Sequence, residues 1–93
     1  MEQETHVFDV VVEIITEIVA IEVAPEMITP AMSLTADLML DSISLLSLIA
    51  LAEERLAISF SGSTSRVAEL DTVGDAVALA SELVQAQAQA EAS

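Results

Sequence analysis

From Val7 to Ile18 the apolar side chains Val7, Val11, Ile14, Ile15 and Ile18 fall three and four positions apart, with Glu13 and Glu17 between them. That spacing matches the turn of an α-helix, so one stripe faces inward while the acids meet water. The β-branched run Val10-Val11-Val12 alone favours a strand, but the spacing persists to Ile18 and decides for a helix from about Thr5 to Ala20. The same period returns twice. After Asp41-Ser42 it runs through Ile43, Leu46, Ile49 and Leu56, with Leu45, Leu48 and Ala52 beside them, and predicts a helix from about Ser42 to Leu56. After Thr72 it runs through Val73, Ala76, Val77, Ala80, Leu83 and Val84. No pair of strands is available to build a sheet, so the chain is limited to packing helix on helix.

The connections fit that plan. Residues 21–40 form a long first loop that holds both prolines, Pro25 and Pro30. Pro25-Glu26-Met27-Ile28 reads as a short helical turn opened by proline, and Met27, Ile28, Leu34 and Leu38 are expected to anchor the loop to the core. Ala57-Ile58-Ser59-Phe60-Ser61 alternates like a strand without a partner, so it is expected to be extended, with Ile58 or Phe60 turned inward. Ser61-Gly62-Ser63-Thr64-Ser65 is turn-prone; with one glycine and no lysine it fails as a phosphate-binding loop. Arg66 to Leu70 is expected to add one or two helical turns facing Val67 and Leu70 inward. Thr72-Val73-Gly74-Asp75 reads as a capping box that opens the last helix. The expected fold is a single all-α domain over residues 1–93, a small four-helix bundle with three longer helices, one short one and a long first loop. Residues 1–5 and 86–93 are expected to be flexible tails.

Composition narrows what such a bundle can do. Only Phe8 and Phe60 are aromatic, so the core must be aliphatic. Sixteen acids against two bases give a net charge of −14, and residues 1–54 contain no Lys or Arg. Such a surface repels nucleic acid and anionic membranes and suits basic protein partners, with an attraction that fades as salt rises. Self-repulsion also lowers the stability of the compact state. The longest nearly apolar run, Leu45 to Ala52, is far short of the ~20 residues a membrane span needs. The start Met-Glu-Gln-Glu lacks the positive end of a secretory signal, so a cytoplasmic monomer is expected.

The chain is poor in catalytic chemistry. It has no cysteine, hence no disulfide and no thiolate of its own. His6 is the only histidine and sits beside the loose amino end, without a second ligand or a nearby nucleophile, so a surface role is expected for it. No carboxylate pair is marked out for acid–base work, and no metal-ligand spacing occurs. An autonomous enzyme is not expected.

One place remains where chemistry can happen. Asp41 is an N-cap candidate and Ser42 sits in the first turn of the second helix, where unpaired amides suit a phosphate group. Taken alone, Asp-Ser before a helix is a capping pair and nothing more. However, Asp37-Leu38-x-x-Asp41-Ser42-Ile43 resembles the D-L-G-x-D-S-L motif of acyl carrier proteins, in which the serine carries phosphopantetheine. Val11-Glu13-Ile14-Ile15, Ile28-Thr29-Pro30 and Leu70-x-Thr72-Val73-Gly74-Asp75-Ala76-Val77 fall in that family's order, so the resemblance runs from about Val7 to Val84. Two departures stand out. Met39 replaces the usual glycine, and Ser44 and Ser47 occupy positions where many members have acids.

The resemblance implies a carrier that is not itself catalytic. Ser42 would take phosphopantetheine covalently from coenzyme A, with Asp41 as the motif residue beside it. By the same resemblance Leu46, Ala52, Leu56, Phe60, Val67, Leu70 and Ala76 would line a space for an acyl chain, although plain core packing accounts for each of them equally well. Asp37, Asp41, Ile43, Glu53 and Glu54 would meet partners. The implied partners are a phosphopantetheinyl transferase and an acyltransferase, ketosynthase or other pathway enzyme with a basic docking surface. With Ser44, Ser47 and the positive Arg55 on it, the second helix is less acidic than in a housekeeping fatty-acid carrier. That favours polyketide or other specialised biosynthesis, with surface drift as the competing explanation. The alternatives are a fatty-acid or aminoacyl carrier, and an acidic helical module that binds a basic partner without carrying a group.

Overall fold

The computed structural model describes residues 2–19 and 21–92, with side chains described for 6–19 and 21–87. Among the described residues four helices make an all-α bundle: α1 (Glu2–Ile18), α2 (Ser42–Leu56), the short α3 (Thr64–Ala68) and α4 (Val73–Ala92). Single 3₁₀ turns occupy Pro25–Met27 and Ser61–Ser63. The described residues contain no strand, only an isolated antiparallel bridge between Ser33 and Thr72.

Helix α1 is the centre of the bundle and packs against both α2 and α4. Of its predicted stripe Val7, Val11, Ile14 and Ile15 are buried and Ile18 half-buried, and Val10 and Val12 are buried too, because a helix covered on two sides hides more than one stripe. The backbone of α1 starts at Glu2, three residues before the expected Thr5. The core is aliphatic, with Phe60 its one fully buried aromatic among the described residues and Phe8 packed half-buried against it.

The burial of α2 departs from the periodicity. Leu48 and Ala52 are buried and Leu45, Ile49, Leu51 and Leu56 half-buried, but Ile43 and Leu46 are 75% and 68% exposed. From Ile43 to Ala52 the helix is apolar on nearly every side, so its pattern hardly indicates which face will be covered. The helix ends in a left-handed residue, Ala57, with φ 55°, whose N–H donates to the Glu53 carbonyl. Beyond it Ile58 and Phe60 are both buried. The turn-prone serine tract holds a 3₁₀ turn closed by Ser63 N–H donating to the Phe60 carbonyl at 2.9 Å, and α3 follows directly from Thr64. Helix α3 ends at Ala68, two residues before the expected end.

The first loop is anchored by Ile28, Leu34, Leu38 and Leu40, all buried. Met27, expected among the anchors, is 63% exposed; the Pro25–Met27 turn sends Ile28 inward in its place. Three backbone hydrogen bonds then join the loop to the start of α4. Gly74 N–H donates to the Pro30 carbonyl at 2.8 Å, Val73 N–H to Met32 at 3.0 Å and Leu34 N–H to Asp71 at 2.8 Å, the last two making the antiparallel bridge between Ser33 and Thr72. A Cβ on Gly74 would lie 3.0 Å from the Pro30 carbonyl oxygen, so a side chain there would push these two segments apart by a few tenths of an ångström.

The capping box at Thr72 is present in full. Asp75 N–H donates to Thr72 Oγ1 at 3.1 Å, and the Asp75 carboxylate accepts from the N–H groups of Thr72 and Asp71, both at 3.1 Å. These bonds hold the Asp75 carboxyl below its usual range. Helix α4 continues as helix to Ala92. Both arginines form two-pronged ion pairs: Arg55 with Glu17, joining α2 to α1, and Arg66 with Glu82, joining α3 to α4. The positive charge that Arg55 adds to α2 is therefore matched by Glu17 of α1.

Candidate functional site

The loop arrives at α2 in a fixed shape. Ser33 N–H donates to the Asp37 carboxylate at 2.7 Å, Ala36 N–H to Ser33 Oγ at 3.0 Å, and Asp37 and Leu38 N–H both donate to the Ser33 carbonyl. Leu38 and Leu40 point into the core on either side of Met39. Met39 has φ 58°, the left-handed region that favours glycine, and its side chain is 63% exposed. The chain reverses there and enters α2 through Asp41.

Asp41 caps the helix: its Oδ1 accepts from Ser44 N–H at 2.8 Å. The bonds from Ser44 are the main reason its carboxyl lies below the usual range. Ser42 is thus the first residue of α2, exposed, with Asp41 occupied as a cap and the remaining first-turn amides free of helical partners. The hydroxyl lies at one end of a groove of about 310 Å³ between α2 and α3. Leu45, Leu46, Leu48 and Ile49 form one wall, and Val67, Ala68 and Leu70 the other. The lining is chiefly hydrocarbon.

Of the residues expected to line an apolar space, Leu46, Val67 and Leu70 are in this groove. Ala52, Phe60 and Ala76 are buried in the core and Leu56 half-buried, all outside its lining. Leu45, Leu48, Ile49 and Ala68 belong to the lining and escaped the sequence reasoning. A signal for two of them was present, since positions 42, 45, 46 and 49 share one helix face.

The acids expected to meet partners are mostly engaged within the chain. Asp37 closes the loop turn and Asp41 caps α2, although both residues are exposed. Glu53 is half-buried and accepts from Phe60 N–H at 2.7 Å, closing the far end of α2. Glu54 is exposed there too. His6 is exposed on α1, and the described residues hold no cluster of His, Cys, Asp or Glu fit for a metal ion.

A family model described as "Phosphopantetheine attachment site" matches residues 9–80. The chain belongs to that family. The match runs from within α1 through the loop, α2 and α3 to the first turns of α4, so it takes in the loop and helices around Ser42. No curated protein matches the chain. A phosphopantetheine-attachment domain is a carrier for that covalently bound group and is not itself catalytic. Such carriers work with a phosphopantetheinyl transferase and with the enzymes that act on their cargo. No described helix is long and apolar enough to cross a membrane.

Proposed function

We propose that the chain is an acyl carrier protein that takes its phosphopantetheine on Ser42 and serves polyketide or other specialised biosynthesis. One observation carries this: an exposed hydroxyl at the first residue of a capped 15-residue helix, at the mouth of an apolar groove. The residues present fit the group. The amino end of α2 favours the negative charge of a phosphodiester on Ser42 Oγ. When bound, the group supplies the thiol that the chain lacks and holds an acyl unit as a thioester.

Ser42 has no base of its own on hand. The adjacent Asp41 carboxylate accepts hydrogen bonds from Ser44 and holds its proton weakly, so it is a poor acceptor for the Ser42 proton. Activation therefore falls to the transferase. Met39, in its left-handed conformation between the buried Leu38 and Leu40, sets the direction from which the chain enters α2. The groove walls Leu45, Leu46, Val67 and Leu70 offer hydrocarbon to an acyl chain and would shield it from water.

An acyl cargo is favoured over an aminoacyl one by the Asp37-Leu38 approach and the Thr72–Asp75 segment. A specialised pathway is favoured over housekeeping fatty-acid synthesis by the first turn of α2, which carries Ser44 and no acid. The test is incubation with coenzyme A and a broad-specificity phosphopantetheinyl transferase, followed by intact mass. Wild type should gain one phosphopantetheinyl unit and Ser42→Ala none. A wild type that gains nothing beside a modified control carrier, or a Ser42→Ala chain that still gains it, refutes the assignment.

A further inference from the structure

Helix α3 supplies one wall of the groove beside Ser42, yet little of its own holds it in place. It is five residues long and none of them is buried. Only the half-buried Val67 and, just past its end, Leu70 pack against the core. Five residues are too few for a helix to persist by itself. The turn before it, Ser61–Ser63, contains Gly62, with open space where a side chain would start. The placing of α3 therefore depends on the segment that leads into it, residues 57–60.

That segment is held by one residue of α2. The Glu53 carbonyl accepts from Ala57 N–H and, at 3.2 Å, from Ile58 N–H, while its carboxylate accepts from Phe60 N–H at 2.7 Å. Phe60 is buried outside any helix, and no backbone carbonyl among the described residues takes its N–H, so Glu53 is what satisfies it. The Phe60 carbonyl in turn accepts Ser63 N–H at 2.9 Å, and α3 opens at Thr64 directly after. Glu53 also stands one turn beyond Ile49, the last residue of the opposite wall, and shares its helix face. The two walls join at this side chain.

We propose that Glu53 is a positioning residue of the groove: by accepting the Phe60 N–H, its side chain fixes α3 against α2 at the spacing that admits a hydrocarbon chain. It acts as a hydrogen-bond acceptor, and its charge is dispensable. The Arg66–Glu82 ion pair cannot replace it, because that pair is open to water and ties α3 to α4 instead of α2. The role in holding cargo rests on Ser42 as the attachment residue, whereas the hold on α3 does not.

Glutamine keeps the acceptor and loses the charge; alanine loses both. Wild type, Glu53→Gln and Glu53→Ala are compared unmodified, and again after a broad-specificity transferase has attached an octanoyl-phosphopantetheine arm from octanoyl coenzyme A. In the unmodified chains, amide hydrogen exchange read by mass spectrometry over residues 58–68 should be about tenfold faster in Glu53→Ala, the loss of one hydrogen bond to a charged group. Glu53→Gln should exchange as wild type does, and α1 should be unchanged in both. Octanoylation should raise the Tm of wild type and Glu53→Gln alike, and that of Glu53→Ala less.

A Glu53→Gln chain that exchanges as fast as Glu53→Ala overturns the proposal, since charge would then be the agent. So does a Glu53→Ala chain that exchanges like wild type. Faster exchange in Glu53→Ala with the full octanoyl increment in Tm overturns it too, because the bond would then serve the fold and not the groove. Failure of the Ser42 assignment looks different: wild type takes up no arm, or Ser42→Ala still does, whichever way the unmodified chains exchange.

Discussion

Ser81 is the one buried polar side chain of the described bundle that has no hydrogen-bond partner. It is 8% exposed, and its hydroxyl oxygen is sealed from water inside α4. Thr16 on α1 shows the usual solution, donating to the Glu13 carbonyl at 2.8 Å, but Ser81 makes no such bond. Ser81→Ala should therefore stabilise the protein. Removing an unsatisfied buried hydroxyl recovers roughly 1–3 kcal/mol, and alanine's higher helix propensity adds about 0.5 kcal/mol. The lost contacts of one oxygen atom offset a few tenths. The net gain is about 1–3 kcal/mol, and for a domain of this size each kcal/mol raises Tm by roughly 4–8 °C. Urea unfolding followed by circular dichroism gives the clean measurement, with a higher midpoint at an unchanged slope. A midpoint that stays level or falls at constant slope would refute the reasoning, because the hydroxyl would then have a partner in solution, such as the Val77 carbonyl one turn earlier.

Two further outcomes follow from the caps. Ala57→Gly removes the left-handed strain at the end of α2 and should raise stability by about 0.5–1 kcal/mol after the unfolded-state entropy of glycine is subtracted; Ala57→Val should lower it, and both are read from denaturant midpoints. Asp75→Asn tests the capping box through pH. The Asp75 carboxyl lies below its ordinary value of 3.8, so its contribution is complete above that value and is lost as pH falls through the lower folded value. Wild type should melt above Asp75→Asn near neutrality, and the gap should narrow as pH falls below 3.8; a gap of constant width would show that the charge plays no part.

Much of this was legible in the sequence, for reasons that can be named. The stripe of α1, the capping box at Thr72–Asp75 and the start of α2 at Asp41-Ser42 are local, since each depends on residues within a turn or two of one another. The burial of Val10 and Val12 was not legible, because it depends on α2 and α4 both covering α1. Ile43 and Leu46 lie on the side of α2 away from the buried Leu48 and Ala52, and on a helix this evenly apolar only the placement of the neighbouring elements shows which side is left in water. The pairing of Arg55 with Glu17 spans 38 positions and has no local signature. Met39 was visible as the residue in place of a glycine, and the left-handed backbone supplies the reason a glycine suits that position. For the candidate site, Ser42 and its cap were evident, whereas the groove required the position of α3, whose five residues give too weak a period to place it.

The seam between residues 30–34 and 71–74 bears on how this protein can be re-engineered. Ser42 is some thirty positions from Gly74, yet the turn that delivers it hangs from backbone bonds to that stretch. A designer who transplants residues 33–42 into another scaffold must bring residues 71–74 along as a matched half. Shuffling at a single crossover between them would pair a loop with a foreign anchor and displace the serine without changing any residue beside it.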